Sequence, residues 1–285
     1  EAFAAFLRNL EGRWSEDPER LAELARAAAD AMSAPAQRGP VLDAPAVAAA
    51  TRRLTAAARS LADEVAGGFG PISKFPMSPQ LLVLLDIAGD ERGWLRDHLA
   101  QTLDAMAAGG LRDHLGGGFF RYTTRPDWLV PHFEKMLYDN ALLARVYLRG
   151  ARVLERPDYR EIAFETLDFV LRELAVAGGG YASSLSALDA AGREGGYYLW
   201  AEDTLDGLLT PVERRVVAAV WGMAGTPAQD GGHLPVRAAS PGEAAAELGL
   251  APETVARHLR QARGKLLAAR EERKLPRDDK VVAAW

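Results

Sequence analysis

Apolar residues recur at spacings of three and four along most of the chain, often in alanine-rich stretches. This spacing predicts amphipathic helices. Proline follows a capping residue at Ser78-Pro79 and Thr210-Pro211, as at a first helical position. Strands with alternating Val, Ile and Thr are lacking, so the pattern predicts an all-α protein. The predicted helices lie near residues 18–33, 44–66, 79–88, 92–108, 132–154, 158–175, 212–221 and 252–273.

Glycine clusters followed by an aromatic residue recur between the helices. Their intervals of roughly 50–60 residues each suffice for two helices and their connections. Such a repeat stacks into a solenoid or closes into a ring, in which the glycine loops would gather at one end and line one pocket. Plain capping of helix ends is the alternative. The clusters are Gly67-Gly68-Phe69, Gly116-Gly117-Gly118-Phe119, Gly178-Gly179-Gly180-Tyr181 and the weaker Gly231-Gly232-His233.

The amino-acid composition excludes several kinds of site and partner. The chain has no cysteine, which excludes disulfides, thiolate nucleophiles and cysteine-ligated zinc. The five histidines are scattered without a His-Glu-x-x-His motif, so we predict no metal and no cofactor. A net charge of −5 gives no attraction to phosphate backbones, so no nucleic-acid partner is predicted. No apolar run approaches about 18 residues, so we predict no membrane span and expect a cytoplasmic protein.

One long string, MAAGGLRDHLGGGFFRYTTRPDWLVPHFEKMLYDNALLARVYL at 106–148, resembles the signature of the YyaL and spermatogenesis-associated protein 20 family. GGFGPISKFP at 67–76 and REERKLPRDDKVVAAW at 270–285 add to the resemblance. That family joins a thioredoxin-like domain to a six-hairpin toroid, similar to those of glycoside hydrolases and N-acylglucosamine 2-epimerases.

The resemblance implies an (α/α)6 six-hairpin toroid. Residues 1–285 would form a partial toroid, with 1–40 as a lead-in helical segment. The chain would begin just after the thioredoxin-like domain and stop at Trp285, before the last hairpins, so the ring is expected to be incomplete. The family tends to show a second acid shortly after Asp189, where this sequence has Ala191. Chemistry that depends on that second carboxylate is therefore in question.

The predicted helix that Pro131 opens carries the candidate catalytic residues. His132, Lys135 and Asp139 would share one face, with Glu134 and Tyr138 at its border. A neutral imidazole beside a carboxylate is suited to proton transfer near neutral pH. We therefore predict His132, Glu134 and Asp139 as catalytic residues. The alternative is a solvated face with a Lys135–Asp139 ion pair at i, i+4.

Aromatic rings that stack on sugars, with charged groups that bind hydroxyls, would complete a site for a small sugar-like ligand. Two pairings stay open at this stage. His132 with His114 would suit an epimerase, and Asp139 with an acid from the next loop would suit a glycoside hydrolase. The predicted substrate-binding residues are Arg121, Tyr122, Trp128, Tyr138, Asp189, Glu194 and Trp200.

The sequence thus predicts a carbohydrate-active or sugar-binding domain, hydrolase-like or epimerase-like, and leaves open whether it is an enzyme. The alternative is a non-catalytic scaffold or binding module that serves the thioredoxin-like domain implied by the resemblance. Residues 242–270 also resemble a helix-turn-helix with a basic second helix. The acidic overall charge opposes that interpretation.

Overall fold

The computed structural model describes residues 2–33, 43–89, 93–278 and 280–282. The chain divides into two compact units, Glu1–Ala49 and Ala50–Trp285. Some residues of the predictions lie outside the described part: 34–40 of the predicted lead-in, Arg92 at the start of one predicted helix, and 283–285. The division of the chain into a partial toroid and a lead-in segment stays a prediction.

The described chain is predominantly helical, which confirms the predicted all-α class. In the second unit, α4 packs on α5 and α6, α6 on α7, and α9 on α11, which gives the α/α hairpins of the predicted class. The helices are α1 (Ala2–Glu16), α2 (Pro18–Ser33), α3 (Ala44–Leu61), α4 (Ser78–Ala88), α5 (Trp94–Ala108), α6 (Leu137–Val153), α7 (Asp158–Phe169), α8 (Glu202–Leu208), α9 (Pro211–Trp221), α10 (Pro241–Leu248) and α11 (Pro252–Glu271).

The helices differ from the prediction at several points. The helix predicted over 44–66 ends as α3 at Leu61. The helix predicted over 158–175 ends as α7 at Phe169 and continues as a π-helical turn over Val170–Leu174. Helices α1 and α8 were not predicted. Helix α8 has 7 residues and forms no long periodic run, whereas α1 does carry the apolar positions of an amphipathic helix. Thr210 caps α9 as predicted and forms a capping box with Glu213. The predicted cap at Ser78 is wrong, because Met77 is the N-cap of α4 and Ser78 lies inside the helix.

Short strands join the helices, in two small antiparallel sheets. The first pairs β1 (Tyr122–Thr123) with β2 (Pro131–His132). The second has the order β3-β4-β5, with β3 at Lys135–Met136, β4 at Ser184–Leu185 and β5 at Arg277–Asp278. Through these two-residue strands, residues near 185 and near 277 pack beside the segment 131–136.

The helix predicted from residue 132 was wrong at its start, because α6 begins at Leu137 and residues 131–136 are mostly extended. Burial alternates along this stretch: Phe133 and Lys135 are buried, whereas His132 and Glu134 are partly exposed. A two-residue period is that of a strand, and it places His132 and Glu134 on one face. The predicted Lys135–Asp139 helical ion pair is therefore absent.

The first two glycine clusters form turns of the same design, each held by an aspartate and a lysine. In the first, Asp63 Oδ1 accepts hydrogen bonds from the backbone of Val65 and Ala66 at 3.0 and 2.9 Å. Lys74 Nζ donates to Asp63 Oδ2 at 2.7 Å and to the Gly70 carbonyl at 2.7 Å. The buried lysine thus neutralises the aspartate that fixes the turn.

In the second turn, Asp113 takes the role of the aspartate and Lys135 that of the lysine. Lys135 Nζ donates to Asp113 Oδ2 at 2.7 Å and to the Gly117 carbonyl at 2.8 Å. Arg270 from α11 adds two contacts to the same carboxylate, at 2.9 and 3.0 Å. All three charged side chains are buried. The network therefore ties α11 and β3 to the second glycine turn.

Candidate functional site

The β1–β2 hairpin positions the imidazole of His132. The strand register sets Tyr122 opposite His132, and their rings stack with centroids 5.2 Å apart. The ring of Phe75, from the loop after the first glycine cluster, stacks on Tyr122 at 4.5 Å. Lys74 pairs with Thr123 through two backbone hydrogen bonds, which fixes this loop to β1. Residues after the first and second glycine clusters therefore meet at His132.

A carboxylate from a third loop orients the imidazole. His132 Nδ1 lies 2.8 Å from Glu194 Oε1, and His132 Nε2 lies 3.9 Å from Glu134 Oε2. The side chains of His132 and Glu194 are 30% and 50% exposed, so small molecules can reach both. A carboxylate on one ring nitrogen fixes the tautomer and leaves the other nitrogen for proton transfer.

Arg121 joins the same cluster through Glu134. Its Nη1 donates to Glu134 Oε2 at 2.9 Å, and its backbone N–H donates to the Glu134 carbonyl at 2.9 Å. Burial lowers the pKa of Arg121, but its hydrogen bonds to Glu134 and Tyr138 outweigh that effect and raise it. The guanidinium is therefore a fixed positive charge between two predicted site residues.

Asp139, in the first turn of α6, is the most perturbed acid of the cluster. Its pKa is raised to about 7, chiefly by burial; the charge of Arg121 opposes this shift and that of Glu134 adds to it. Its Oδ2 is buried and has no hydrogen-bond partner among the described residues. The positive end of the helix would favour the carboxylate, but loss of solvent outweighs that effect. A carboxyl that titrates near neutrality is suited to acid–base work.

The raised pKa of Asp139 gives a definite sign to the pH dependence of stability. Its value is 3.8 in the absence of the fold and about 7 in it, so the folded state holds more protons between these values. The unfolding free energy should therefore fall as pH rises from about 4 to 7. Asp139→Asn is expected to match the wild type near pH 4. At pH 8 it should be more stable by on the order of 1–2 kcal/mol, after discounting for partial exposure.

Urea unfolding of both proteins at pH 4.5 and pH 8 measures this difference. The exposed Asp168 of α7 provides the matched control, Asp168→Asn. An Asp139→Asn variant whose stability relative to the wild type is the same at both pH values would contradict the assignment.

Two predicted aromatic residues do not reach the cluster. Trp128 is 2% exposed and packs in the core between α4, α5 and α6, where its Nε1 donates to the Ala66 carbonyl at 2.9 Å. Its ring fills the space above Gly68, where a Cβ would lie 2.6 Å from it. Trp200 is fully buried in the core of α8–α11. Both indoles are buried parts of the core, so their rings are not exposed for stacking on a ligand.

Asp189 fixes a turn of its own. Its Oδ1 accepts hydrogen bonds from the backbone of Ala191 and Arg193, at 2.9 Å each, and its Oδ2 pairs with the Arg193 side chain at 2.8 Å. These bonds, led by the one from the Arg193 backbone, lower the pKa of Asp189. The position therefore has a turn-fixing role like that of Asp63, and it holds the loop from which Glu194 reaches His132.

His114 does not pair with His132. Its Nε2 lies 3.1 and 3.0 Å from the carbonyls of Ala108 and Gly109, at the end of α5. The pKa of His114 is lowered to about 3, chiefly by burial and also by the charge of Arg112. The neutral ring satisfies helix-end carbonyls, and a pKa near 3 makes it a poor base for the predicted two-histidine arrangement.

Sequence reasoning missed the buried charge network and an adjacent cavity. A cavity of about 460 Å³ is lined by Asp189 and Glu194 and also by Arg273 and Lys274, from beyond α11. His132 is not among its lining residues; Glu194 connects the cavity with the cluster. The turn aspartates had a signal in the sequence, because Asp63 and Asp113 each lie five residues before the last glycine of a cluster.

Basic residues of the helix-turn-helix-like segment are used inside the protein. Arg263 donates to a backbone carbonyl, Lys265 pairs with Glu213 at 2.6 Å, and Arg270 binds Asp113. No helix in the described part combines the length and apolar character needed to cross a bilayer. Within the same residues, no group of three or more metal-ligating side chains is found.

No family model matches this chain. Human spermatogenesis-associated protein 20 is 35% identical over 259 residues, which cover 78% of this chain and 32% of that protein. The mouse protein of the same name is 37% identical over 163 residues, 52% of this chain and 20% of that protein.

Solved structures of sugar epimerases also resemble the chain. Cellobiose 2-epimerase from Spirochaeta thermophila has a TM-score of 0.41 and 20% identity, over 52% of this chain and 42% of that one. A sugar epimerase from a ruminal bacterium has a TM-score of 0.44 and 14% identity, over 77% of this chain and 70% of that one. By sequence, this chain is a homologue of spermatogenesis-associated protein 20 and spans about a third of the length of the human protein.

Proposed function

We propose that the cluster around His132 is a general acid–base site for a small sugar-like ligand. The observation that carries the proposal is the hydrogen bond between the partly exposed His132 and Glu194, beside the Arg121–Glu134 ion pair. A histidine held by one carboxylate can accept or donate a proton at its other nitrogen. His132 acts with Glu194, and Asp139 is the second acid–base group.

The polar groups around His132 suit a ligand rich in hydroxyls. Glu134 accepts hydrogen bonds, and Arg121 and Tyr138 supply donors near it. Phe75 is 48% exposed and extends the stack of Tyr122 and His132, so it offers an apolar face to a sugar ring. A few convergent polar groups beside an aromatic surface are typical of small-molecule sites.

Proton transfer at a carbon next to a carbonyl, as in epimerisation, is the reaction that this arrangement favours. The reaction requires a base and an acid near the same carbon. The His132 imidazole, held by Glu194, can serve as one, and Asp139, with its pKa raised to about 7, as the other. Glycoside hydrolysis, with Asp139 as the acid, would use the same groups. Ala191, where the resemblance implied an acid, favours a second candidate: a non-catalytic module that binds a ligand for a thioredoxin-like partner.

A thermal-shift screen against monosaccharides and disaccharides tests the proposal. A bound sugar at 100 times its Kd should stabilise the wild type by about 2.7 kcal/mol. His132→Ala, Glu134→Gln and Asp139→Asn, each made singly, should lose that stabilisation, and the control Asp168→Asn should keep it. Equal stabilisation of all variants would refute the site. Stabilisation without turnover would favour the binding module over the enzyme.

A further inference from the structure

The cavity beside Glu194 contains more positive than negative side chains. It lies between the loop that carries Asp189 and the segment after α11, and its volume of about 460 Å³ would hold a sugar-sized molecule. Both lining carboxylates already have a partner: Asp189 pairs with Arg193 at 2.8 Å, and Glu194 bonds to His132 at 2.8 Å. Arg193 neutralises Asp189, so Glu194 is the one carboxylate of the wall that remains beside the two cations Arg273 and Lys274.

Two cations of the cavity wall have no carboxylate partner among the described residues. Arg273 and Lys274 both line the cavity, and neither forms an ion pair there. Burial lowers the pKa of Arg273, and the charges of Arg270 and Arg193 lower it further, as expected for a cation among cations. A half-buried guanidinium without a counter-charge is costly unless an anion binds beside it.

The guanidinium of Arg273 is fixed through one nitrogen, which leaves N–H groups on its other nitrogens for a ligand. Its Nη1 donates to the carbonyls of Gly196, Tyr197 and Leu199 at 3.4, 3.1 and 2.8 Å. Its guanidinium also lies 4.0 Å from the centre of the Trp200 ring. No partner within the described residues occupies Nη2 or Nε. A guanidinium oriented in advance with unused N–H groups is suited to binding phosphate or carboxylate oxygens.

The rest of the wall is compatible with an anion. Thr204 adds a hydroxyl, and Ala191 stands at a position where an aspartate would add a third carboxylate. The cavity reaches the proposed acid–base site through Glu194, which lines the one and contacts His132 in the other. A ligand could therefore have a charged group in the cavity and its ring near His132.

We infer that this cavity is an oxyanion subsite, so that the ligand of the proposed function is an anionic sugar with a phosphate or carboxylate group. Arg273 and Lys274 bind the oxyanion, and the sugar ring extends past Glu194 to His132. The inference rests on the proposed function for the sugar, whereas the oxyanion contacts rest on the cavity alone.

Isothermal titration at 20 mM salt tests the subsite with four probes: glucose 6-phosphate, glucuronate, glucose and inorganic phosphate. At least one anionic sugar should bind ten or more times more tightly than glucose, and added salt should weaken that preference. Lys274→Glu should abolish the preference. Arg273 also holds the backbone of residues 196–199, so the exposed Lys274 is the better position to change. Arg260→Glu, an equal charge reversal on an exposed position of α11, should have no effect.

The outcomes separate this inference from the proposed function. Preference for both anionic sugars, or for only one of them, supports the subsite and identifies the group it accepts. Phosphate binding that Lys274→Glu abolishes, with no sugar bound by any variant, supports the subsite and refutes the proposed function. Glucose binding that needs His132 but equals that of both anionic sugars overturns the subsite alone. Equal effects of Lys274→Glu and Arg260→Glu would also overturn it.

Discussion

Replacing Asp113 with asparagine is expected to lower the unfolding free energy by about 3–5 kcal/mol, because the change leaves two buried cations without a counter-charge. Lys135 and Arg270 are 1% and 7% exposed at their side chains, and both contact the Asp113 carboxylate. Burial alone would raise the pKa of Asp113, but Arg270 and Lys135 outweigh it and hold that pKa well below its usual range. The aspartate is therefore fully charged in the folded protein at neutral pH.

Lys135 depends on this carboxylate. Burial, helped by the charge of Arg270, lowers its pKa to about 8 even with Asp113 present. Apart from the Gly117 carbonyl, its ammonium faces rings, with the centroid of Phe169 at 4.3 Å and that of Phe120 at 5.0 Å. Aromatic faces attract a cation, but the energy of one such contact is smaller than the cost of an unpaired buried charge.

Urea unfolding followed by tryptophan fluorescence measures the effect of Asp113→Asn. The control Asp168→Asn removes an exposed carboxylate from α7 and should change stability by less than about 0.5 kcal/mol. A loss of under about 1 kcal/mol for Asp113→Asn would show that the network does not hold α11 and β3 to the glycine turn.

Gly118→Ala should destabilise the protein by about 2–5 kcal/mol, for two reasons that add. Gly118 has φ of +73°, and a side chain in that conformation costs about 1–2 kcal/mol. A Cβ there would lie 2.3 Å from Cδ1 of Phe169, a ring fully packed in the core. Moving that ring costs roughly 1–3 kcal/mol more.

Gly178→Ala separates the two causes. Gly178 has φ of +93°, but a Cβ there would have no heavy atom within 4 Å. Its substitution should therefore carry only the backbone cost of about 1–2 kcal/mol. Thermal unfolding of both variants gives the comparison, and equal losses would contradict the close packing of the second glycine turn on α7.

Helical periodicity predicts most of the long helices of this chain because they bury one face along several turns. The start of α6 was predicted wrongly because the two-residue alternation at 131–135 is too short to stand out beside the helix that follows. The predicted helix had placed Glu134 at the border of the face of His132, whereas the extended backbone aligns residues i and i+2 and puts both on one face. The grouping of these residues was therefore predicted for an incorrect reason.

Burial and long-range pairing account for the other differences. Trp128 and Trp200 carry large apolar rings, and a sequence does not tell whether such a ring lies in a pocket or in the core. Arg273 reaches the loop of Glu194 from about 80 residues away, so no local pattern connects them. The aspartate–lysine pairs were equally hidden, because Lys135 follows its partner Asp113 by 22 residues.

In the proposed site, His132, Glu134 and Asp139 contact one bound sugar. The most direct measurement is a crystal structure with the sugar that gives the largest thermal shift. We expect the sugar within hydrogen-bonding distance of His132 Nε2 and of the Asp139 carboxyl, with its ring against Phe75. A sugar bound in that crystal without contact to either His132 or Asp139 would contradict the account.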